Sequence, residues 1–223
     1  MEFSVISIFP GIVKGFSSEG LLNKAVEKKL ISINYYNLRD FAENKHKKVD
    51  DRPYGGGAGM VMTPQPLCKA ITEVKKKKKG KVILFSAYAK PLDQRKVKEL
   101  SKEKHLILVC GRYEGVDQRV IDLCVDEEIS IGNYVLLGGE LAAAVLIESV
   151  SRMIGGVVGK RESVETDSFF YDNQYGVPQY TTPRSFNGLE VPEVLLSGNH
   201  KSILEWRKEN QKYRINLNEE NEK

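Results

Sequence analysis

The chain has 223 residues, of which 41% are hydrophobic and 29% charged, and its formal net charge is +4. This composition is that of a soluble globular protein with one large domain or two modest ones, and the mildly basic charge permits a nucleic-acid partner without requiring one. Residues 3–9 form the first apolar run, which is too short to span a membrane and has no basic leader, so we expect a cytoplasmic protein with no membrane contact. Cys68, Cys110 and Cys124 form no CxxC pair and predict reduced structural thiols.

The first part of the chain alternates between strand and helix patterns. Residues 3–9 are rich in β-branched and aromatic side chains and predict a buried strand that ends at Pro10-Gly11. Apolar residues recur at helical spacing over residues 19–29, and residues 31–36 predict a second strand. This strand–helix–strand order favours a parallel α/β sheet.

Residues 37–63 have no sustained period. The segment carries five basic side chains from Arg39 to Arg52, and then four glycines from Gly55 to Gly59. The glycines match neither a P-loop nor a dinucleotide-binding fingerprint. Two interpretations stay open: a flexible surface loop, or a loop whose basic side chains and backbone groups hold an RNA backbone.

Residues 66–79 predict a helix that ends in five lysines with Gly80 at its C′ position. A solvated helix end explains those lysines better than a phosphate site does.

Three further strand patterns follow. Predicted strands at residues 82–87, 106–110 and 129–131 each run into a loop. Ligands of open α/β sheets bind beyond the carboxyl ends of the strands, so the three loops predict one pocket.

The third of these loops opens the sequence ISIGNYVLLGGEL, in which Gly132, Gly138 and Gly139 bracket residues 133–137. Such a loop can wrap a flat, partly apolar ligand such as an adenine, although a glycine-rich connection without a ligand fits the spacing equally well. A predicted helix begins at Glu140.

The last part of the chain is less regular. Residues 155–166 have the glycines and charges of a linker, and residues 191–198 suggest an extended segment. Asn199 predicts the N-cap of a final helix.

Six motifs occur in order over nearly the whole chain, and together they resemble the bacterial tRNA (guanine-N1)-methyltransferases of the TrmD family. The motifs are DDRPYGGGAGM (50–60), LILVCGRYEGVDQRVI (106–121), EEISIGNYVLLGGEL (127–141), SVSRMI (149–154), ETDSF (165–169) and EVPEVLLSGNH (190–200). The resemblance implies an α/β domain of the SPOUT type over residues 1–154, with a parallel sheet and a deep trefoil knot. It further implies an interdomain linker at residues 155–168 and a small, mostly helical tRNA-binding domain at residues 169–223.

The resemblance also implies an activity. Enzymes of this family transfer a methyl group from S-adenosylmethionine to N1 of guanosine-37 in tRNA, beside the anticodon, where guanosine-36 precedes it. They are homodimers with the active sites at the interface, and magnesium assists the reaction. Two other hypotheses stay open: an RNA-binding module that uses the basic loop and no methyl donor, and a related knotted methyltransferase with another target, such as a ribose 2′-hydroxyl.

The roles of individual residues are likewise what the resemblance implies. Asp167 matches the family's proton-abstracting aspartate, and Arg152 matches the arginine that acts beside it. His46, Asp50, Arg52, Gly57 and Gly59 match the part that meets tRNA. The positions that match donor-binding residues are Ser86, Tyr88, Gly111, Tyr113, Glu114, Ile131, Gly132, Asn133, Tyr134, Val135, Leu136, Gly138 and Gly139.

Two departures from the family pattern are visible. The loop after the strand at 82–87 reads Ser86-Ala87-Tyr88-Ala89 where the family has Ser-Pro-Gln-Gly, and Thr182 stands where the family has arginine. Without the proline, the backbone of the first loop loses a fixed φ angle, so donor affinity can differ.

Overall fold

A computed structural model describes residues 1–171 and 176–220. The chain divides into two compact units, Met1–Arg161 and Glu162–Lys223. The division falls inside the segment 155–168, for which the sequence predicts an interdomain linker. The predicted domain bounds themselves stay predictions.

A five-stranded sheet, parallel throughout, forms the centre of the first unit, which confirms the predicted α/β class. The strands of this unit are β1 (Glu2–Ser7), β2 (Ser32–Asn37), β3 (Asp50–Asp51), β4 (Val61–Met62), β5 (Lys81–Phe85), β6 (His105–Val109) and β7 (Glu127–Ile129). The order in the sheet is β2-β1-β6-β5-β7. One row of paired residues crosses it from edge to edge through Tyr35, Val5, Leu108, Ile83 and Glu127.

Both faces of this sheet are covered by helices. The helices of the first unit are α1 (Pro10–Ser17), α2 (Gly20–Glu27), α3 (Pro64–Lys77), α4 (Gln94–Leu100), α5 (Gln118–Cys124) and α6 (Glu140–Arg152). Side chains from α1, α2, α4 and α6 form one core with one face of the sheet, and side chains from α3 and α5 form a second core with the other face. Successive strand residues such as Leu106 and Ile107 therefore belong to different cores, which explains why the strands are apolar throughout.

Helix α1 is absent from the sequence prediction, which treats Pro10-Gly11 only as the end of a strand. β1 ends at Ser7, before Pro10, and Pro10 occupies the first helical position, where its fixed φ angle suits a helix and its missing N–H costs nothing. Val13 and Ser17 are the buried residues of this short helix.

The lysine-rich end of α3 differs from the prediction. The helix ends at Lys77, and Lys78 has extended backbone angles. Gly80 is therefore not the C′ residue; a Cβ atom there would lie 2.6 Å from Nδ1 of His105, so close packing explains the glycine. Three of the five lysines form ion pairs: Lys78 pairs with Glu2 at 2.8 Å, Lys75 with Asp126 and Lys76 with Glu73.

The aperiodic segment 37–63 contains more structure than the sequence suggests. It begins with a 3-10 helix, Leu38–Phe41, and later forms the antiparallel pair β3–β4. Between them, Oδ1 of Asn44 accepts a hydrogen bond from the Lys48 amide at 2.8 Å. Gly55, Gly56, Gly57 and Gly59 all have positive φ angles, which accounts for the glycines between the two strands.

The second unit is described by itself. Its elements are α7 (Arg161–Glu165), which begins at the division, β8 (Ser185–Phe186), β9 (Leu189–Glu190), α8 (Glu193–Leu196) and α9 (His200–Glu220). The prediction of an extended chain over residues 191–198 is wrong, because α8 lies within it. The predicted N-cap is confirmed: Oδ1 of Asn199 accepts a hydrogen bond from the Lys201 amide at 3.1 Å.

Candidate active site

Three loops at the carboxyl ends of β5, β6 and β7 surround one cavity of about 340 Å³. Hydrogen bonds hold the loops together: the Ser86 amide donates to Ile129 O at 3.1 Å, and the Gly139 amide donates to Gly111 O at 2.8 Å. The loops after the three predicted strands therefore meet at one cavity, as the sequence predicts, and the volume of this cavity is in the range of small-molecule sites.

The residues that line the cavity include all of the predicted donor-binding residues other than Asn133. Those lining residues are Ser86, Tyr88, Gly111, Tyr113, Glu114, Ile131, Gly132, Tyr134, Val135, Leu136, Gly138 and Gly139. Their binding role stays a prediction. The lining also includes residues that the sequence reasoning did not select, among them Arg112 and Gln118.

Glycines let the cavity wall close tightly. A Cβ atom on Gly139 would lie 2.9 Å from Cα of Cys110, which is backbone and cannot turn aside. A Cβ atom on Gly138 would lie 2.6 Å from Oε2 of Glu140. Gly132 has φ +148, and a Cβ atom there would overlap the ring of Tyr134. These close approaches explain the glycines of the third loop without reference to a ligand.

A buried ion pair lies beneath this wall. Glu140, with 1% of its side chain exposed, accepts hydrogen bonds from Nε of Arg112 at 3.1 Å and from Oγ of Ser7 at 2.6 Å. Arg112 also stacks over the ring of Phe9, with 4.6 Å between Cζ and the centroid. Together with Ser7, the pair connects three distant parts of the chain, and no spacing in the sequence predicts it.

Cys110 directly follows β6 and precedes Gly111, which lines the cavity. Burial raises the pKa of its thiol well above the usual value, and the carboxylate of Glu140 raises it further. The thiol therefore stays protonated at neutral pH and is a packing group rather than a nucleophile.

The basic loop, residues 44–59, returns to the cavity wall. The Glu114 amide donates to Met60 O, and the Met62 amide donates to Gly115 O, both at 3.0 Å. The loop is thus fastened through β4 to residues that line the cavity. His46 and Arg52 are exposed on it, as are Gly57 and Gly59, whereas Asp50 is half-buried in β3.

The two predicted catalytic residues lie in different units. Arg152 is half-buried in the last turn of α6. Asp167 is half-buried in a turn two residues beyond the end of α7, where its amide donates to Val164 O at 3.3 Å.

The described part of the chain contains neither a metal-binding cluster nor a membrane-spanning helix. Within residues 1–171 and 176–220, there is no group of three or more His, Cys, Asp or Glu side chains placed to hold a metal ion. None of the helices in those ranges is both long and apolar enough to cross a membrane.

This fold and cavity define an α/β protein with a cavity of small-molecule size at the carboxyl ends of parallel strands. The chain belongs to the tRNA (guanine-1)-methyltransferase TrmD family, whose model matches residues 1–221. The resemblance noted in the sequence is therefore confirmed.

Relatives named tRNA (guanine-N(1)-)-methyltransferase match nearly the whole chain. The protein of Clostridioides difficile (strain 630) is 51% identical over 212 residues, which cover 94% of this chain and 91% of the relative. That of Finegoldia magna (strain ATCC 29328 / DSM 20472 / WAL 2508) is 51% identical over 216 residues, with coverage of 97% and 91%. That of Geobacter sp. (strain M21) is 48% identical over 212 residues, with coverage of 95% and 85%.

Proposed function

We propose that this protein transfers a methyl group from S-adenosylmethionine to N1 of guanosine-37 in tRNA, where guanosine-36 precedes it. Family membership supports the activity as an enzyme on guanine N1 of tRNA. The observation that carries the proposal is the junction between the basic loop and the cavity wall, because it holds a surface suited to RNA beside a pocket suited to a small molecule.

The residues of the cavity fit the methyl donor. Oγ of Ser86 is buried at its edge and has no hydrogen-bond partner in the described part of the chain, so it is available to a ligand. The apolar side chains of Ile131, Val135 and Leu136 suit a flat ring. The glycines of the wall have no side chains, so a ligand can approach their backbone directly. S-adenosylmethionine supplies an electrophilic methyl group when bound.

The acceptor nitrogen needs a base, because guanine N1 carries a proton at neutral pH. In this proposal Asp167 accepts that proton as the methyl group is transferred, a role worth about 10²–10⁴-fold in rate. Arg152 stabilises the negative charge that develops on guanine O6. Magnesium assistance is part of the family expectation and stays a prediction.

Exposed groups of the basic loop suit the anticodon stem-loop of tRNA. His46 and Arg52 can contact phosphates, and the exposed glycines Gly57 and Gly59 allow a nucleotide to approach the backbone. Tyr54, which the sequence reasoning did not select, is 99% exposed between them. An aromatic ring in that position is suited to stacking on an unpaired base.

Three architectural parts of the proposal come from the family: the trefoil knot, the tRNA-binding role of residues 169–223, and a homodimer with active sites at the interface. An apolar face on the first unit supports the dimer. Ile12 and Phe16 on α1, and Leu141 and Val145 on α6, are exposed on two helices that pack together. A patch of this kind on a folded domain suggests a protein partner.

The test is Asp167→Asn, with Glu205→Gln on α9 as the matched control. We expect Asp167→Asn to lower single-turnover methylation of tRNA at least about 100-fold while calorimetry finds unchanged S-adenosylmethionine binding. The control makes the same change from carboxylate to amide at an exposed position of the same unit and should keep the rate.

The outcome can contradict the proposal in separable ways. A loss below about fivefold would remove Asp167 from the role of base. Digestion of the product should yield 1-methylguanosine; a ribose-methylated nucleoside would indicate a different acceptor. Absence of donor binding in the unchanged protein would indicate an RNA-binding module.

A further inference from the structure

Two of the three cysteines meet on the side of the sheet that α3 and α5 cover. Cys68 lies on α3, and Cys124 is the last residue of α5. Their sulfur atoms are 3.0 Å apart, with the Cys124 thiol donating to Cys68. Both are free thiols and half-buried, so they are accessible to small solutes in a way that the fully buried Cys110 is not.

The surrounding structure allows these sulfurs to bond. A disulfide needs about 2.05 Å between the sulfurs, so they must approach by roughly 1 Å. The helices that carry them already pack against each other. Cys124 ends its helix and Val125 has extended backbone angles, so a small shift there breaks no further helical turn.

We propose that Cys68 and Cys124 form a reversible intramolecular disulfide in the presence of a peroxide. The Cys124 sulfur attacks one peroxide oxygen, the O–O bond breaks, and the products are a sulfenic acid and one water molecule. The Cys68 sulfur then displaces the sulfenic oxygen, which leaves as a second water molecule with the remaining thiol proton. Two electrons pass from the sulfurs to the peroxide, and a dithiol reductant returns both thiols.

The surroundings of the two cysteines determine which of them reacts first. Burial raises the pKa of Cys68 to about 12. Cys68 is therefore a protonated thiol at neutral pH and a poor first nucleophile. Its sulfur is nevertheless in contact with the sulfur that is oxidised first, which favours capture over further oxidation.

The disulfide would join two helices that lead to the site. Gln118 and Ile121 on α5 line the cavity, and α3 follows β4, where the basic loop ends. Oxidation would thus fix α3 and α5 relative to each other. The inference rests on the thiol contact and does not depend on the proposed function.

The experiment uses the full-length protein, reduced and freed of reductant, then treated with hydrogen peroxide and blocked with an alkylating agent. Peptide mapping without reduction should find a Cys68–Cys124 cross-link in most molecules, while Cys110 is alkylated only after unfolding. We expect the oxidised protein to melt about 5–10 °C higher, and dithiothreitol to remove both the cross-link and the shift.

Variants separate this pair from other thiol chemistry. Cys110→Ser should keep the cross-link, whereas Cys68→Ser and Cys124→Ser should each abolish it. Sulfinic acid on Cys124 without a cross-link, or disulfides only between molecules, would overturn the proposal. Because the peptide map of the unchanged protein already decides between these outcomes, a poorly folding variant does not prevent the test.

Discussion

At the scale of single residues, the wall of the cavity depends on glycines, because they have no Cβ atom. Gly138 and Gly139 lie where two backbone segments and a buried ion pair come together. A Cβ atom on either residue would lie less than 3 Å from its nearest neighbouring atom. The contact at Gly139 is with the backbone of Cys110, the residue that follows the central strand β6. A side chain there can be accommodated only if the loop moves away from the sheet.

We therefore expect Gly139→Ala to displace the third loop. The predicted result is at least about tenfold weaker S-adenosylmethionine binding by calorimetry, with the free energy of unfolding lowered by about 1–3 kcal/mol. Gly159→Ala is the matched control, because a Cβ atom at Gly159 meets nothing within 4 Å. Unchanged donor binding in Gly139→Ala would show that the cavity wall tolerates the shift or that the donor binds elsewhere.

The pair formed by Arg112 and Glu140 shows the limit of residue-level reasoning from sequence. The sequence predicts Glu140 only as the start of a helix, and Arg112 only as part of a motif. Burial of a carboxylate is costly unless donors surround it, and here the donors come from Ser7 and Arg112, 133 and 28 positions away along the chain. Such partners become visible only once the strands are placed in the sheet.

At the scale of elements, the strands are predictable because their apolar runs are long and bounded by turn residues. Errors occur where one residue type serves two purposes. Pro10 looks like the end of a strand yet begins a helix, and the segment around Pro192 looks extended yet leads into α8. The glycine-rich pocket can be placed from strand ends alone, but its closing contacts cannot, because they depend on tertiary packing.

The edge strand β7 offers a test of electrostatics between elements. Glu127 at its start pairs with Lys81 of β5 at 2.7 Å and with Lys96 of α4 at 2.8 Å. Burial opposes ionisation of this carboxyl, but the hydrogen bonds from the two ammonium groups outweigh it and hold its pKa below the usual 4.5. The folded state therefore favours the ionised form of Glu127.

A group with a lowered pKa stabilises the fold above its unfolded-state pKa, and that contribution disappears as the pH falls through the folded-state value. Glu127→Gln should lower the free energy of unfolding by about 1–2 kcal/mol at neutral pH. The difference from the unchanged protein should shrink as the pH falls below the usual carboxyl pKa of 4.5 and vanish below the folded-state value. Urea unfolding over that pH range measures this.

The control for this prediction is Glu73→Gln. Glu73 forms an exposed pair with Lys76 on α3, so its replacement should change the free energy of unfolding little at any pH. A loss in Glu127→Gln that is equal at neutral and acidic pH would contradict the ionic explanation and point to packing instead.

At the scale of the whole molecule, the two faces of the central sheet differ in what their helices leave exposed. On one face, α1 and α6 present a cluster of exposed apolar side chains: Ile12, Phe16, Leu141 and Val145. Glu140, at the first position of α6, lies next to this cluster and also holds Arg112 of the cavity lining. A partner seated on this face would therefore lie close to the proposed active site, which agrees with the family expectation of a shared interface.

The dimer is tested by introducing one charge into this face. Val145→Glu should place a carboxylate where the proposed interface excludes water, so light scattering should report the mass of one chain instead of two. Because the proposed active site needs both chains, methylation should fall at least about 100-fold, within the range for losing a positioned catalytic group. Leu123→Glu is the control: this leucine is 78% exposed on α5, which covers the other face of the sheet, and its replacement should keep both mass and activity. Circular dichroism should find both variants folded. A folded Val145→Glu protein that stays dimeric would remove this face as the interface, and a monomeric, fully active variant would show that the reaction does not need the second chain.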